Sequence, residues 1–508
     1  MRNRAALGAF TGAAQIVLNA GLLLLVVRMI IATLGMEAYG VYALVTAVGA
    51  LGIFAGFGFN TSLIKYLAEQ QDRRAGTYDI LAALVIIGGA SLVVAAAALV
   101  FDEFVLVHVL NISRGLITPG VRFFYGACVG ANLLLLLGQV PAAVLDAQQK
   151  VYMTNGIQLG TGVLGKGLMI LSLAVAPALS WLGWIMLASA AAALILLTLF
   201  AVRTWGSFSA PRWPRMIWPT ARKHFAYGRA VYATSIVGFF YESVTKVFIS
   251  HWAGLTEVGY FDLALRIRNP IWAVLERVAY PAMPKIAGTR ERDDIRRTVE
   301  EAEQKLAMIA VPAGVAAAFM SGPAVALWLG DGLTPVVVSI IFVVSTNLIS
   351  VLFVPLYQFL MVKGYPGRAL LLQSVNLFVT VAGIAVLVPL FGYYGAMAAY
   401  CIAVLGSAGG CMWYQYTLLG SPPFLPGPLR WKLVRVGLAL AAANVAVVVA
   451  QFRPPVQLAL MLGANGAGTV MLFRRFGVIT EADVERYLGR DSRAGTLLGK
   501  LLFGRERS

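Results

Sequence analysis

The sequence predicts an all-α polytopic membrane protein of about 14 transmembrane helices, on three observations. Hydrophobic residues make up 59% of the 508 and charged residues 12%, with a mean hydropathy of +0.80, a balance far too apolar for a water-soluble domain. Apolar runs long enough to cross a hydrocarbon core of about 30 Å, which takes about 20 helical residues, recur along the whole chain. The short segments between them alternate between basic and non-basic, as loops on opposite faces of a membrane do.

The first seven runs are Phe10 to Thr33, Ala38 to Ser62, Thr77 to Phe101, Val121 to Leu145, Val151 to Val175, Trp181 to Val202, and Ala226 to Trp252. The second seven are Val258 to Pro281, Leu306 to Leu329, Pro335 to Val362, Ala369 to Pro389, Tyr393 to Leu418, Leu433 to Ala450, and Val456 to Phe473. Of the 40 Lys and Arg, nine fall inside these runs, with Arg122, Arg229 and Arg435 within a few residues of a run's end, and only Arg114 and Arg453 fall in loops on the far side from the N-terminus. The other 29 share the N-terminal side, which predicts cytoplasmic termini and an even helix count. The last two runs are the shortest, so twelve is the alternative count. Arg2 and Arg4 precede a run too long for a signal peptide and without a clear cleavage site, so it reads as an uncleaved first span.

A weak internal repeat organises the helices. At a constant offset of 219 residues, Gly35, Gly40 and Leu44 match Gly254, Gly259 and Leu263, with Tyr42 opposite Phe261. A shared short turn explains such glycines equally well, but parallel repeats of this kind also build transporters from two like bundles. The expected organisation is an N-lobe over 1–203, a basic linker over 204–224, a C-lobe over 225–418, two further helices over 419–475 and a basic tail over 476–508. Cys128, Cys401 and Cys411 lie inside apolar runs with no ligand or disulfide spacing and read as small packing residues.

Four stretches carry a resemblance. They are LGMEAYGVYALVTAVGALGIFAGFGFNTSLIKYL from Leu34 to Leu67, YPAMPKIAG from Tyr280 to Gly288, FGYYGAMAAY from Phe391 to Tyr400, and ITEADVERYL from Ile479 to Leu488. In these the chain resembles the polysaccharide transporters, the O-antigen and exopolysaccharide flippases, of the multidrug, oligosaccharidyl-lipid and polysaccharide exporter superfamily. The resemblance implies two lobes around a central cavity, alternating access, and a polyprenyl-pyrophosphate-linked oligosaccharide as substrate. It also implies a bacterial inner-membrane location among membrane lipids, with polysaccharide polymerase and export machinery as partners, and no cofactor.

The ionisable residues inside the runs are the candidate site residues, because a charge there costs at least about 2.5 kcal/mol and faces a cavity or a partner. The relevant set is Arg28, Lys166, Lys246, Arg266, Arg268 and Arg277, against Glu242, Asp262 and Glu276. The cationic surplus suits an anionic headgroup, so Arg28, Lys166, Lys246, Arg266 and Arg268 are the expected substrate-binding set, with Glu242 and Asp262 as candidate ion-coupling carboxylates. Snorkelling to the interface is the competing reading, strongest for Glu276 and Arg277 and open for Arg28. Glu242 with Lys246, and Asp262 with Arg266, stand four apart and can pair on one helix face. Arg266 and Arg268 lie about 200° apart round a helix, and Pro270, which frees the Arg266 carbonyl, is a candidate hinge. Gln15, Asn19, Asn60, Asn132 and Gln139 can line a cavity or join helices.

Other chemistries find no constellation. GTGVLGKG, from Gly160 to Gly167, has Gly167 where a phosphate loop needs Ser or Thr, and sits in an apolar run rather than after a strand. GANGAG, from Gly463 to Gly468, likewise reads as close helix packing. Asp293 and Asp294 lie in a basic segment, and His108, His224 and His251 are scattered, so neither a metal site nor a catalytic site is expected and the chain does not read as an enzyme. The net charge of +17 resides in loops between spans, which excludes a nucleic-acid surface. A multidrug cation antiporter, which calls for buried carboxylates, and a membrane glycan polymerase or ligase, which calls for a larger outer loop, are the rival readings.

Overall fold

The computed structural model describes residues 2–49, 59–69, 72–206, 213–280, 282–421 and 427–478, and among them there is no strand. The first half of the chain forms α1 (Arg2–Gly49), α2 (Phe59–Glu69), α3 (Arg73–Val100), α4 (Pro119–Ala147), α5 (Val151–Val175), α6 (Leu179–Trp205), α7 (Trp213–Trp252) and α8 (Leu255–Ala279). The second forms α9 (Ala282–Gly288), α10 (Arg292–Leu329), α11 (Thr334–Ser350), α12 (Val354–Val362), α13 (Pro366–Phe391), α14 (Tyr393–Tyr414), α15 (Gly427–Val449) and α16 (Pro454–Phe476). An all-helical chain is the solution lipid imposes, because a helix satisfies its own backbone groups.

Eleven of the described helical segments are long and apolar enough to cross a membrane, against the fourteen expected. The shortfall has two sources. The first two expected runs merge into α1, broken only by the non-helical Gly35 at φ 89° and ψ 170°. The seventh and eighth are present as α7 and α8, but they carry the candidate charges, and neither is among the eleven. The ITEADVERYL stretch and the rest of the basic tail lie outside the described residues.

The chain divides into two compact units. One comprises 1–262 with 377–396 and the other 263–376 with 397–508. This division falls inside α8, not at the expected linker, because α7 packs on α1, α2 and α3. In the first unit the core runs through Phe59, Leu63, Ile80, Leu136, Val140, Leu197 and Trp205. There α4 and α6 lie close because Gly183 faces the Phe124 Cα and Ala127. In the second unit Val299, Leu356, Leu360, Leu372 and Cys411 form one core, and Leu433, Val436, Leu440 and Phe473 another. There the Asn444 and Asn465 amides bond each other reciprocally at 3.2 and 3.0 Å, joining α15 to α16.

The repeat glycines meet. A Cβ on Gly40 would lie 1.9 Å from the Leu255 carbonyl oxygen, and one on Gly259 would lie 3.1 Å from the Met36 sulfur. Met36 and Leu255 are themselves 219 residues apart, so each copy's glycine packs on the same position of the other copy. Gly35 and Gly254, the other matched pair, both adopt positive φ, at 89° and 125°. These reciprocal contacts are what a two-fold relation between the copies requires.

Candidate functional site

Four helices of the first unit enclose a cavity of about 530 Å³, lined from α1 by Gln15 and Asn19, from α4 by Asn132, from α5 by Gln158 and Lys166, and from α6 by Ser189. The spacing explains the lining. Gln15 and Asn19 are four apart, as are Gln158, Gly162 and Lys166, so each set stacks on one helical face. Glycine supplies the room. A side chain at Gly162 would strike Asn19 Oδ1 at 2.4 Å and one at Gly165 would strike Ser189 Oγ at 2.4 Å. Gly162 and Gly165 of GTGVLGKG are therefore packing residues in an unbroken α5, as its composition suggests, whereas Gly160 and Gly167 have nothing within 4 Å of an added Cβ.

Lys166 is the one charged group among the lining residues. Its Nζ donates to Asn19 Oδ1 at 2.7 Å, and Gln15 Nε2 donates to Gln158 Oε1 at 2.9 Å across the α1–α5 seam. The lining is mostly apolar, from residues such as Leu23, Leu135, Met169 and Met186, and sets this ammonium beside the amides of Gln15, Asn19, Asn132 and Gln158 and the hydroxyls of Thr161 and Ser189. Such a set binds an anionic group together with sugar-like hydroxyls. The amides at Gln15, Asn19 and Asn132 fall where the sequence suggested. Gln158, Thr161 and Ser189 were missed, although the four-residue spacing of Gln158 and Lys166 was a usable signal.

The other expected cations lie elsewhere. Arg28 is exposed and does not line the cavity. Lys246 is buried with its Nζ 2.6 Å from Asp262 Oδ1, while Tyr39 donates its hydroxyl to Asp262 Oδ2 at 2.5 Å. Its charge is therefore shared with a carboxylate rather than presented to a ligand. Tyr39 stacks on Tyr42 at 6.0 Å, and Tyr42 lines the cavity, so this closed cluster abuts the cavity through an aromatic pair. Glu242 and Arg266 are half-buried on α7 and α8.

Arg268 belongs to the second unit. Its Nε and Nη2 donate to Asn347 Oδ1 at 3.0 and 2.8 Å, its guanidinium lies 4.6 Å from the Trp272 ring, and Asn347 passes the chain on to Tyr400 at 2.9 Å. Pro270 sits within α8, which is continuous through it.

One arrangement departs from the expectation of scattered histidines. Ser62 Oγ lies 2.8 Å from His224 Nδ1, and His224 Nε2 lies 3.1 Å from Asp79 Oδ1, which Lys223 also reaches at 3.0 Å. The order matches a nucleophile–base–acid triad. Ser62 and His224 are both 0% exposed, however, so no substrate carbonyl has access and the cluster clamps α2, α3 and α7 together. Among the described residues no group of His, Cys, Asp and Glu is placed to hold a metal.

Comparison with known proteins bears on the fold and the family. Residues 131–338 match the sequence model of the family described as polysaccharide biosynthesis protein. No curated protein matches by sequence. Among solved structures, the lipid II flippase MurJ in an inward closed conformation superposes with a TM-score of 0.67 at 11% identity, covering 92% of this chain and 99% of that one. A variant of the Vibrio cholerae MATE transporter VcmN gives 0.59 at 12% identity, covering 83% and 99%. A MOP superfamily transporter from Pyrococcus furiosus gives 0.51 at 17% identity, covering 81% and 95%. The chain thus has the fold of the lipid II flippase MurJ and the MATE transporter VcmN, with a polysaccharide biosynthesis family match over residues 131–338.

Proposed function

We propose that the chain is a flippase that carries a polyprenyl-pyrophosphate-linked oligosaccharide from the cytoplasmic to the outer leaflet of a bacterial inner membrane by alternating access, with both termini cytoplasmic. The observation that carries this reading is Lys166, the one charged residue lining a mostly apolar cavity that also presents amides and hydroxyls. The pyrophosphate meets the ammonium, the sugar hydroxyls exchange bonds with Gln15, Asn19, Asn132 and Gln158, and the lipid tail stays in the bilayer. The polysaccharide match and the lipid-flippase fold likeness support the same substrate class. Arg28, Arg266 and Arg268 remain candidate contacts along the route. Glu242 and Asp262 remain candidate coupling carboxylates, although an ion at Asp262 has to displace Lys246. Pro270 remains the candidate hinge, and glycan polymerase and export machinery the candidate partners.

The rival antiporter reading calls for a cavity that welcomes cations, and an ammonium among the lining residues opposes it. The test is reconstitution of the purified chain in liposomes with a lipid-linked oligosaccharide. The headgroup is expected to cross without any covalent change to the lipid, and Lys166→Ala is expected to slow it about 10- to 100-fold while inserting normally. Export of cationic dyes by the wild type, with no glycan movement, would overturn the reading.

A further inference from the structure

The second unit holds a carboxylate that the transport cavity does not use. Glu303 lies near the start of α10, where nine of the fourteen residues 292–305 are charged. That stretch precedes the apolar segment from Leu306 to Leu329 and lies outside the membrane-spanning part of the helix. Yet Glu303 is only 9% exposed. Its Oε2 accepts from Gln415 Nε2 at 2.9 Å, and its Oε1 has no hydrogen-bond partner. On the same glutamine, Oε1 is also buried with no partner.

Two orphaned acceptors on two residues already joined by one hydrogen bond form a specific deficit. Each costs about 1–3 kcal/mol if left unsatisfied. A carboxylate has no donor to offer, whereas a carboxylic acid has one, and acid and amide are complementary at both edges. A single proton on Glu303 Oε1 supplies the donor that the free edge of Gln415 lacks.

The surroundings supply no other remedy. Glu300, one turn earlier, adds negative charge and accepts from Ser421, with Arg296 3.9 Å from it. Burial first, and then Glu300, pushes the Glu303 carboxyl above the ordinary carboxylate range, against the pull of the Gln415 bond. Cys411 of α14 is the titratable neighbour, and Tyr357 of α12 beside it is bonded to Gln373. Lys432 of α15 is bonded to the Gly477 carbonyl, and Lys363, at the end of α12, to those of Ala287 and Thr289. Arg430, Arg435, Arg474 and Arg475 of α15 and α16 and Lys285 of α9 are exposed. Glu301 and Lys305, two residues to either side, lie about 200° round the helix, and α11 bears no charge.

We propose that Glu303 is a proton-binding site, neutral in this conformation and locked to Gln415 as an acid–amide pair that ties the cytoplasmic end of α10 to the end of α14. Loss of the proton to cytoplasmic water leaves an anion facing an amide carbonyl, and the two ends separate. As an acid whose proton is held more tightly when folded, it favours the locked contact at low pH, and the lock weakens as pH rises.

The site is tested on the full chain in liposomes by infrared difference spectroscopy between about pH 5 and about pH 9, a span that brackets the ordinary carboxylate and a strongly raised one. The expected result is a carboxylic-acid C=O band still present at neutral pH and absent in Glu303→Gln. Gln415→Leu, which keeps the acid and removes its partner, should shift that band. No such band in the wild type, or a band indifferent to both substitutions, overturns the proposal. Because glutamine reproduces the neutral acid, Glu303→Gln should match wild-type thermal stability at low pH and lose the wild type's decline at high pH. A variant that declines just as the wild type does also overturns it.

The consequence for transport rests on the flippase reading. Glycan flipping by the wild type should vary with cytoplasmic pH, and by Glu303→Gln it should not. A wild type that flips no glycan yet shows the titrating band refutes the function and leaves the proton site standing. A pH response that survives in the variant removes the site from the transport cycle.

Discussion

Lys166 and Lys246 show how burial divides like residues between two tasks. Lys166 donates to the Asn19 amide and, at 3.5 Å, to the Gly162 carbonyl, and on the proposed reading it meets the ligand. A charge-assisted hydrogen bond contributes about 1.5–3 kcal/mol, and Lys166→Ala should therefore slow glycan flipping by a factor of about 10 to 100. Lys166→Arg should keep part of the rate, and the liposome assay measures both. Lys246 answers Asp262 instead. Removing one member of a buried pair leaves an uncompensated charge at about 3–5 kcal/mol. Lys246→Met should therefore lower the thermal stability of the detergent-solubilised protein sharply, and Lys246→Met with Asp262→Asn should recover much of the loss. If the double variant is no better than the single one, the pair is not what holds these residues.

Single positions reach the scale of helices through close approach. With 1.9 Å from a Cβ at position 40 to the Leu255 oxygen, Gly40→Ala has to push α8 away from α1. The cost is expected at about 1–3 kcal/mol or more, read as a lowered unfolding temperature. Gly21 lies in the same helix with nothing within 4 Å of its added Cβ, so Gly21→Ala should be neutral or slightly stabilising by the same measurement. Much of this level was legible beforehand. Hydrophobic run length gave the helices, the 219-residue offset singled out Gly40 and Gly259, which pack on the matched positions Leu255 and Met36, and four-residue spacing put Gln15 with Asn19. What the sequence could not give was which helices neighbour one another. The pairing of Lys246 with Asp262, the meeting of Ser62, His224 and Asp79, and the approach of Gln415 to Glu303 are contacts between helices. A helix presents the same periodicity whatever packs against it, so intra-helix spacing was a guide to faces and no guide to partners.

Across the whole molecule, loop charge is the feature that assigns sides. Arg290, at the start of the segment before α10, and Asp331 and Gln451, in loops at the other ends of their helices, are exposed. The three native cysteines are all buried. Single cysteines at these positions should thus report cleanly. Arg290→Cys is expected to react with a membrane-impermeant maleimide only from the cytoplasm, and Asp331→Cys and Gln451→Cys only from outside. Labelling of all three from one side would refute the orientation. At the start of α4, Arg122 lies 3.2 Å from Glu103 and 3.5 Å from Asp102.

The reciprocal contacts of Gly40 with Leu255 and of Gly259 with Met36 also bear on how such a chain can arise and drift. In a self-associating half-length ancestor, one glycine packing on the position of its copy that corresponds to both Met36 and Leu255 makes an isologous interface, where a single substitution strikes twice. Fusion of two copies turns that one position into two, free to diverge separately. In this chain the 40 side of the contact is tight enough to admit only glycine, while the 259 side meets a flexible methionine that can yield. The seam between the copies has therefore become unequal, and an enlarged residue is expected to be tolerated at 259 before it is tolerated at 40.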